Sequence, residues 1–108
     1  MQFKEINLIS KSVSDVLNEI KFEIATARAE EVELLIVKYL GNDGFSRFLS
    51  KVTPALRRMK QKRLVQLYAA PDNFERGGTE SVYLKNKYPE LFQDILSIKD
   101  EMILYIKL

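Results

Sequence analysis

The chain has no cysteine, no histidine and no tryptophan among its 108 residues, and only four glycines and three prolines. Without cysteine there is no disulfide framework, no thiolate metal site and no thiol nucleophile. Without histidine the usual general base near neutral pH is missing, and with it the commonest ligand of zinc, copper and iron. Triads, zinc sites and haem sites lose the residues they are built on. Lysine, tyrosine, serine and carboxylate chemistry stays open, as does a magnesium ion held by carboxylates and water. Long apolar runs are absent too: nothing approaches the ~18 residues of a membrane-spanning helix. Met1–Ser10 has no basic region followed by an apolar run, so no signal peptide is expected and the reading is cytoplasmic.

What is present is ordinary for a globular protein. The apolar fraction is 46% and the aromatic fraction 10%, richer than a chain that stays disordered. The length suits a single domain over residues 1–108, with no repeat, low-complexity segment or linker to divide it.

The apolar spacing predicts a strand over Phe3–Ile9, then a helix opened by Ser12, with Asp15 completing a capping box. Val13, Val16, Leu17, Ile20, Ile24 and Ala27 form one helical face, and Phe22 falls off it. Val32–Leu40 is apolar at both parities, the pattern of a strand covered on both sides, usually among parallel neighbours. Strand, helix and strand in this order make a βαβ unit. Gly41-Asn42-Asp43-Gly44 reads as a turn. A second helix carries Phe45, Phe48, Leu49, Val52, Leu56 and Met59 in phase, with Pro54 inside it predicting a kink, or a restart capped by Thr53. Leu64–Ala69 is a third strand and 71–78 a loop. Thr79–Tyr88 fits helix or strand, and Pro89 suits the first turn of a short helix running to Ile98. Met102–Ile106 is a last strand, expected at a sheet edge.

The charge is unevenly placed. Between Gly44 and Pro71 no acidic residue occurs, whereas Arg47, Lys51, Arg57, Arg58, Lys60, Lys62 and Arg63 give +7. A total of +2 therefore leaves −5 for the rest. On a helical projection Arg47, Lys51, Arg58 and Lys62 form a stripe, expected opposite the apolar face of the second helix. Any surface helix needs a polar face, and lysine and arginine are good helix formers. A stripe with no carboxylate in it goes further, because it attracts phosphate backbones through counterion release. The Gly41–Gly44 turn leads from a strand into a helix N-terminus, where backbone N–H groups can hold an anion, with Lys38 and Tyr39 beside it.

These residues resemble the Smr (small MutS-related) domain, a nucleic-acid-associated α/β module, in its short stand-alone bacterial form. The family's first motif, Leu-Asp-Leu-His-Gly before a capped helix, is matched by Ile6-Asn7-Leu8-Ile9-Ser10 before Ser12-Val13. Its second, His-Gly-x-Gly-x-x-Gly, is matched by Lys38-Tyr39-Leu40-Gly41-Asn42-Asp43-Gly44. Lys87-Tyr88-Pro89-Glu90-Leu91 suits the insertion before the stand-alone form's last strand. The resemblance implies a two-layer α/β sandwich: about four strands in a mixed sheet, two main helices, and a helical insertion before the last strand. The helices of that insertion, around Ser81–Ile98, are expected to cover the second face of Val32–Leu40. The family residues associated with DNA nicking are replaced by Asn7, Ile9, Lys38 and Tyr39, so catalysis of that kind is not expected.

Three functions follow. The first is a non-catalytic nucleic-acid-binding module with no cofactor. Lys38, Arg47, Lys51, Arg58 and Lys62 would contact phosphates, Gly41, Asn42 and Gly44 would line the cleft, and Tyr39 would stack on a base. The alternative is a protein-interaction or homodimerisation module built on the last strand, with Phe22, Phe74 and Tyr83 as contacts. The third is a metal-dependent nicking endonuclease using Asp43, Asp72 and Glu75.

Overall fold

A computed structural model describes residues 3–9, 13–40, 44–70, 79–91 and 103–108. In chain order the elements are β1 (Phe3–Ile9), α1 (Val13–Ala29), β2 (Leu34–Leu40), α2 (Phe45–Gln61), β3 (Leu67–Ala69), α3 (Thr79–Lys87), a 3-10 turn (Pro89–Leu91) and β4 (Ile103–Lys107). The four strands form one mixed sheet in the order β1-β2-β4-β3. β1 runs parallel to β2, whereas β4 is antiparallel to both β2 and β3.

The double-sided apolar pattern of β2 has a direct structural counterpart. Side chains alternate across a strand, so Leu35, Val37 and Tyr39 face one way and pack with Leu8, Leu104 and Ile106 of the neighbouring strands. α1 and α2 cover that face through Val16, Ile20, Ile24, Phe48, Val52 and Leu56. Leu34 and Ile36 point the other way, into a second cluster with Ile103, Tyr105, Ala69, Leu84 and Tyr88. Leu84 and Tyr88, from α3 and the residue after it, are both fully buried. The segment before the last strand thus supplies the second cover through residues 79–91; the remainder of the expected helix, to Ile98, lies outside the described residues.

Three expectations are corrected. β2 has one parallel and one antiparallel neighbour rather than two parallel ones. β4 is not an edge strand: it lies between β2 and β3, and every residue of Ile103–Lys107 is buried. Its unbroken apolar run already carries the signature of an interior strand. The third strand begins at Leu67 and not at Leu64 because the end of α2 uses the intervening residues.

That end is a Schellman closure: Leu64 N–H donates to Met59 O at 2.9 Å and Arg63 N–H to Lys60 O at 3.1 Å. α1 ends in the same way, with Val32 N–H on Ala27 O at 2.9 Å and Glu31 N–H on Arg28 O at 3.1 Å. Glycine normally occupies the left-handed position of this motif. Here Glu31 (φ 60°) and Arg63 (φ 62°) hold it instead. α2 itself runs unbroken through Pro54, so no restart occurs at Thr53. Pro54 sits on the exposed side of the helix, and the Ser50 carbonyl it leaves without an N–H partner is on the side open to water. Ser12, the expected cap of α1, lies outside the described residues.

The second cluster contains one polar strain. The Tyr88 ring packs edge-on against Phe3, with centroids 5.4 Å apart and planes at 80°. Its buried hydroxyl has no hydrogen-bond partner among the described residues, nor does Glu33 Oε2. Burial, reinforced by the Glu33 carboxylate and by Tyr83, pushes the Tyr88 hydroxyl up to about 12.

Candidate nucleic-acid interface

α2 is strongly amphipathic, and its charged side chains divide according to their position around the axis. Phe48, Val52, Ala55 and Leu56 are buried against the sheet and Met59 partly so. At ~100° per residue, Lys51, Arg58 and Lys62 lie about 60–100° to one side of Met59, with Arg47 slightly further round. Lys60 lies about 100° to the other side, where it approaches Glu80 of α3 at 3.9 Å. The stripe therefore borders the buried arc instead of standing opposite it. Ala55, too small to be conspicuous in the apolar pattern, widens that arc toward the stripe. Lys51, Arg58 and Lys62 are exposed and make no ion pair with any described residue. Arg47 is exposed as well.

The side of α2 that carries the stripe faces α1, and α1 is itself divided by charge. Asp15, Glu19 and Glu23 fall on one flank, and there Lys4 of β1 meets Glu23 at 3.5 Å and Glu30 at 3.4 Å. Lys21 and Arg28 lie on the opposite flank, toward α2. Lys21, Ile24, Ala25 and Arg28 line a cleft of about 220 Å³ whose other wall is Met59 and Leu64. The Arg28 guanidinium is held there: Nη1 donates to Leu64 O at 2.7 Å and to Arg63 O at 3.4 Å. These are the last carbonyls of the α2 closure, where a cation is also favoured by the helix dipole.

Lys21 and Arg28 of α1 thus line the cleft between the two helices, and the helical projection places Lys51, Arg58 and Lys62 on the flank of α2 turned toward it. Inspection of the densest basic stretch alone misses Lys21 and Arg28, which stand among carboxylates in the linear sequence. The signal that would find them is the projection of α1 onto its helical wheel, which separates its acidic from its basic residues.

Other expected site residues lie elsewhere. Tyr39 does not stack on a base: it is 2% exposed and its ring stacks on Phe48, with centroids 4.3 Å apart and planes at 12°. Its odd parity on β2 sends it into the core with Leu35 and Val37. Lys38, of the opposite parity, is on the α3 side of the sheet, away from the α2 stripe, and pairs with Glu5 at 2.8 Å. Asn7 of β1 is its cross-strand neighbour. Lys38 and the stripe do not converge. Gly44 is the exposed N-cap of α2, in an extended conformation (φ −63°) with no side-chain cap. An added Cβ would meet nothing within 4 Å, so nothing in its surroundings requires glycine.

Gly41 and Asn42 lie outside the described residues, as do Asp43, Asp72, Glu75 and Phe74. Among the described residues no group of three acidic, histidine or cysteine side chains is placed to hold a metal, and no helix is long and apolar enough to cross a membrane. For the interaction alternative, the premise of an edge-lying last strand is overturned, while Phe22 and Tyr83 are exposed at 67% and 37%.

These observations define an α/β protein with a mixed four-stranded sheet, covered on one face by two long helices whose shared groove is basic. No family model, curated protein or solved structure matches the chain.

Proposed function

We propose that the protein is a non-catalytic nucleic-acid-binding module whose phosphate-contacting surface is the α1–α2 groove. The observation that carries this reading is the sorting of charge on two separate helices: α1 turns Lys21 and Arg28, and α2 turns Lys51, Arg58 and Lys62, toward the groove, and the acidic residues of α1 lie on its far flank. A merely solvated helix surface needs polar groups but no such agreement between neighbours. A polyanion laid along the groove would meet Lys21, Lys51, Arg58 and Lys62 and release counterions as it bound. The resemblance to the Smr domain favours the same class of partner. Lys38 and Tyr39 are not part of this surface.

Phosphate contacts position a nucleic acid without reading its sequence. Binding is therefore expected to be sequence-tolerant and steeply salt-dependent. With four cations engaged, log K should fall with log salt at a slope of about −3 to −4. A salt titration of fluorescence anisotropy with labelled DNA and RNA measures this. Absence of binding at low ionic strength, or binding indifferent to salt, refutes the reading.

A further inference from the structure

β1 and β3 are the outer strands of the sheet, and they differ in the edge they offer. β3 has three residues, Leu67–Ala69, and so short an edge is one of the ways a sheet avoids further pairing. β1 has seven, Phe3–Ile9, each partnered in turn by a residue of β2 with no bulge. It contains neither proline nor glycine. Alternate residues of an edge strand turn their N–H and C=O groups away from the sheet. Among the described residues, no backbone group outside β2 pairs with β1. A long edge without these safeguards is a template for a further strand.

The charge above this edge says what kind of strand fits. Leu8 is buried in the α1–α2 layer and Ile6 packs against it. Alternation puts Lys4 on the same face, where it meets Glu23 at 3.5 Å and Glu30 at 3.4 Å. Glu19, one turn before Glu23, is exposed and makes no ion pair with any described residue. Lys4 alone therefore answers Glu19, Glu23 and Glu30 on the flank of α1 that stands over β1. On the other face of β1, Phe3 is exposed.

We infer that β1 takes up an extended segment of a basic protein as a fifth strand, with lysine or arginine at alternate positions beneath Glu19, Glu23 and Glu30. The intervening side chains of the added strand lie on the Phe3 face, where an apolar group fits. A second copy of this chain is the occupant that the charge opposes: pairing β1 with β1 about a two-fold axis would bring two Glu19–Glu23 flanks together. The same carboxylates repel a nucleic acid. This surface lies on the flank of α1 opposite Lys21 and Arg28 and does not depend on the groove reading.

The test offers three labelled octapeptides to the intact chain at low ionic strength: alternating lysine and valine, alternating lysine and proline, and alternating glutamate and valine. The two lysine peptides carry the same charge, but proline has no N–H to donate to a ladder. In fluorescence anisotropy the lysine–valine peptide should bind at least about tenfold more tightly than lysine–proline, and glutamate–valine should not bind. In hydrogen exchange the lysine–valine peptide should slow amides of β1 and not those of β3. Glu19→Lys places a lysine one turn from both Asp15 and Glu23, which suits the helix. It should keep its circular dichroism and lose at least about threefold in affinity for lysine–valine. Equal binding of the two lysine peptides reduces the site to a charged surface and overturns the inference. Binding of glutamate–valine, protection confined to residues outside β1, or unchanged affinity in Glu19→Lys does the same. Failure of every peptide to bind also overturns it, as does a dimer in sedimentation that lysine–valine dissociates. None of these outcomes bears on nucleic-acid binding by the groove.

Discussion

Tyr88→Phe is the most informative single substitution outside the groove, because it separates packing from polarity at one buried position. The ring would keep its edge-on contact with Phe3 at 5.4 Å and its place beside Leu84, Leu34 and Tyr105. Only a hydroxyl without a hydrogen-bond partner among the described residues would be lost. Leaving a buried polar group unsatisfied costs about 1–3 kcal/mol, so near neutral pH the variant should be as stable as the parent or up to that much more stable. The pH dependence sharpens the argument. Burial, with help from Glu33 and Tyr83, raises the hydroxyl from 10.0 to about 12 in the folded protein. Between these values the unfolded chain releases the proton and the folded protein keeps it, so parental stability falls as pH rises through the window. A shift of this size corresponds to about 2–3 kcal/mol, and the phenylalanine variant would not incur it. Urea unfolding of both proteins near neutrality and at several alkaline pH values reads out the difference, in which the other tyrosines and the lysines cancel. A variant less stable by more than about 1 kcal/mol near neutrality would mean that the hydroxyl does have a partner. A difference that stays flat above pH 10.0 would contradict the raised value.

Other outcomes follow from the same geometry. Leu84→Ala should destabilise by about 2–5 kcal/mol in urea unfolding, because Leu84 is fully buried and joins α3 to the second sheet face; a loss below 1 kcal/mol would mean that α3 is not a packed layer. Arg63→Gly should stabilise by about 0.5–1 kcal/mol, since it relieves a left-handed residue at φ 62° while keeping the carbonyl that Arg28 uses. Glu31→Gly at the end of α1 should behave alike, and a fall in Tm for either would contradict the closure assigned to these helices.

Much of the fold was legible in the residues, for physical reasons that can be named. β2 was apolar at both parities, and this pattern alone required cover on two sides; α1 and α2 had one clear apolar face each. β1 ran over the residues that its apolar content marked out. α3 was ambiguous because, among its described side chains, Leu84 alone is buried, with Tyr88 just beyond its end, while Val82 and Tyr83 stay exposed. A helix that anchors by two side chains leaves no periodic trace. β4 was misplaced at an edge although its apolar run is as continuous as that of β2, because strand order depends on long-range pairing that local pattern does not contain.

The site was less legible. The stripe on α2 was visible as a run of cations without carboxylates, and Lys51, Arg58 and Lys62 are exposed as expected. Proximity in sequence to the Gly41–Gly44 turn, however, grouped Lys38 and Tyr39 with that stripe. Strand alternation sends Tyr39 into the core and Lys38 to the far face. Lys21 and Arg28 were hidden for the converse reason: in the linear sequence they stand among glutamates, and only the helical projection separates them.

The central claim is that the cations of one groove, and not the basic residues in general, hold the partner. It is tested most directly by comparing Arg58→Glu/Lys62→Glu with Lys38→Glu in nucleic-acid binding at low ionic strength. The groove pair should lose at least about tenfold in affinity and flatten the salt dependence by about two phosphate contacts, while Lys38→Glu, on the opposite face of the sheet, should bind as the parent does. Equal losses from the two variants, or a larger loss from Lys38→Glu, would contradict the account.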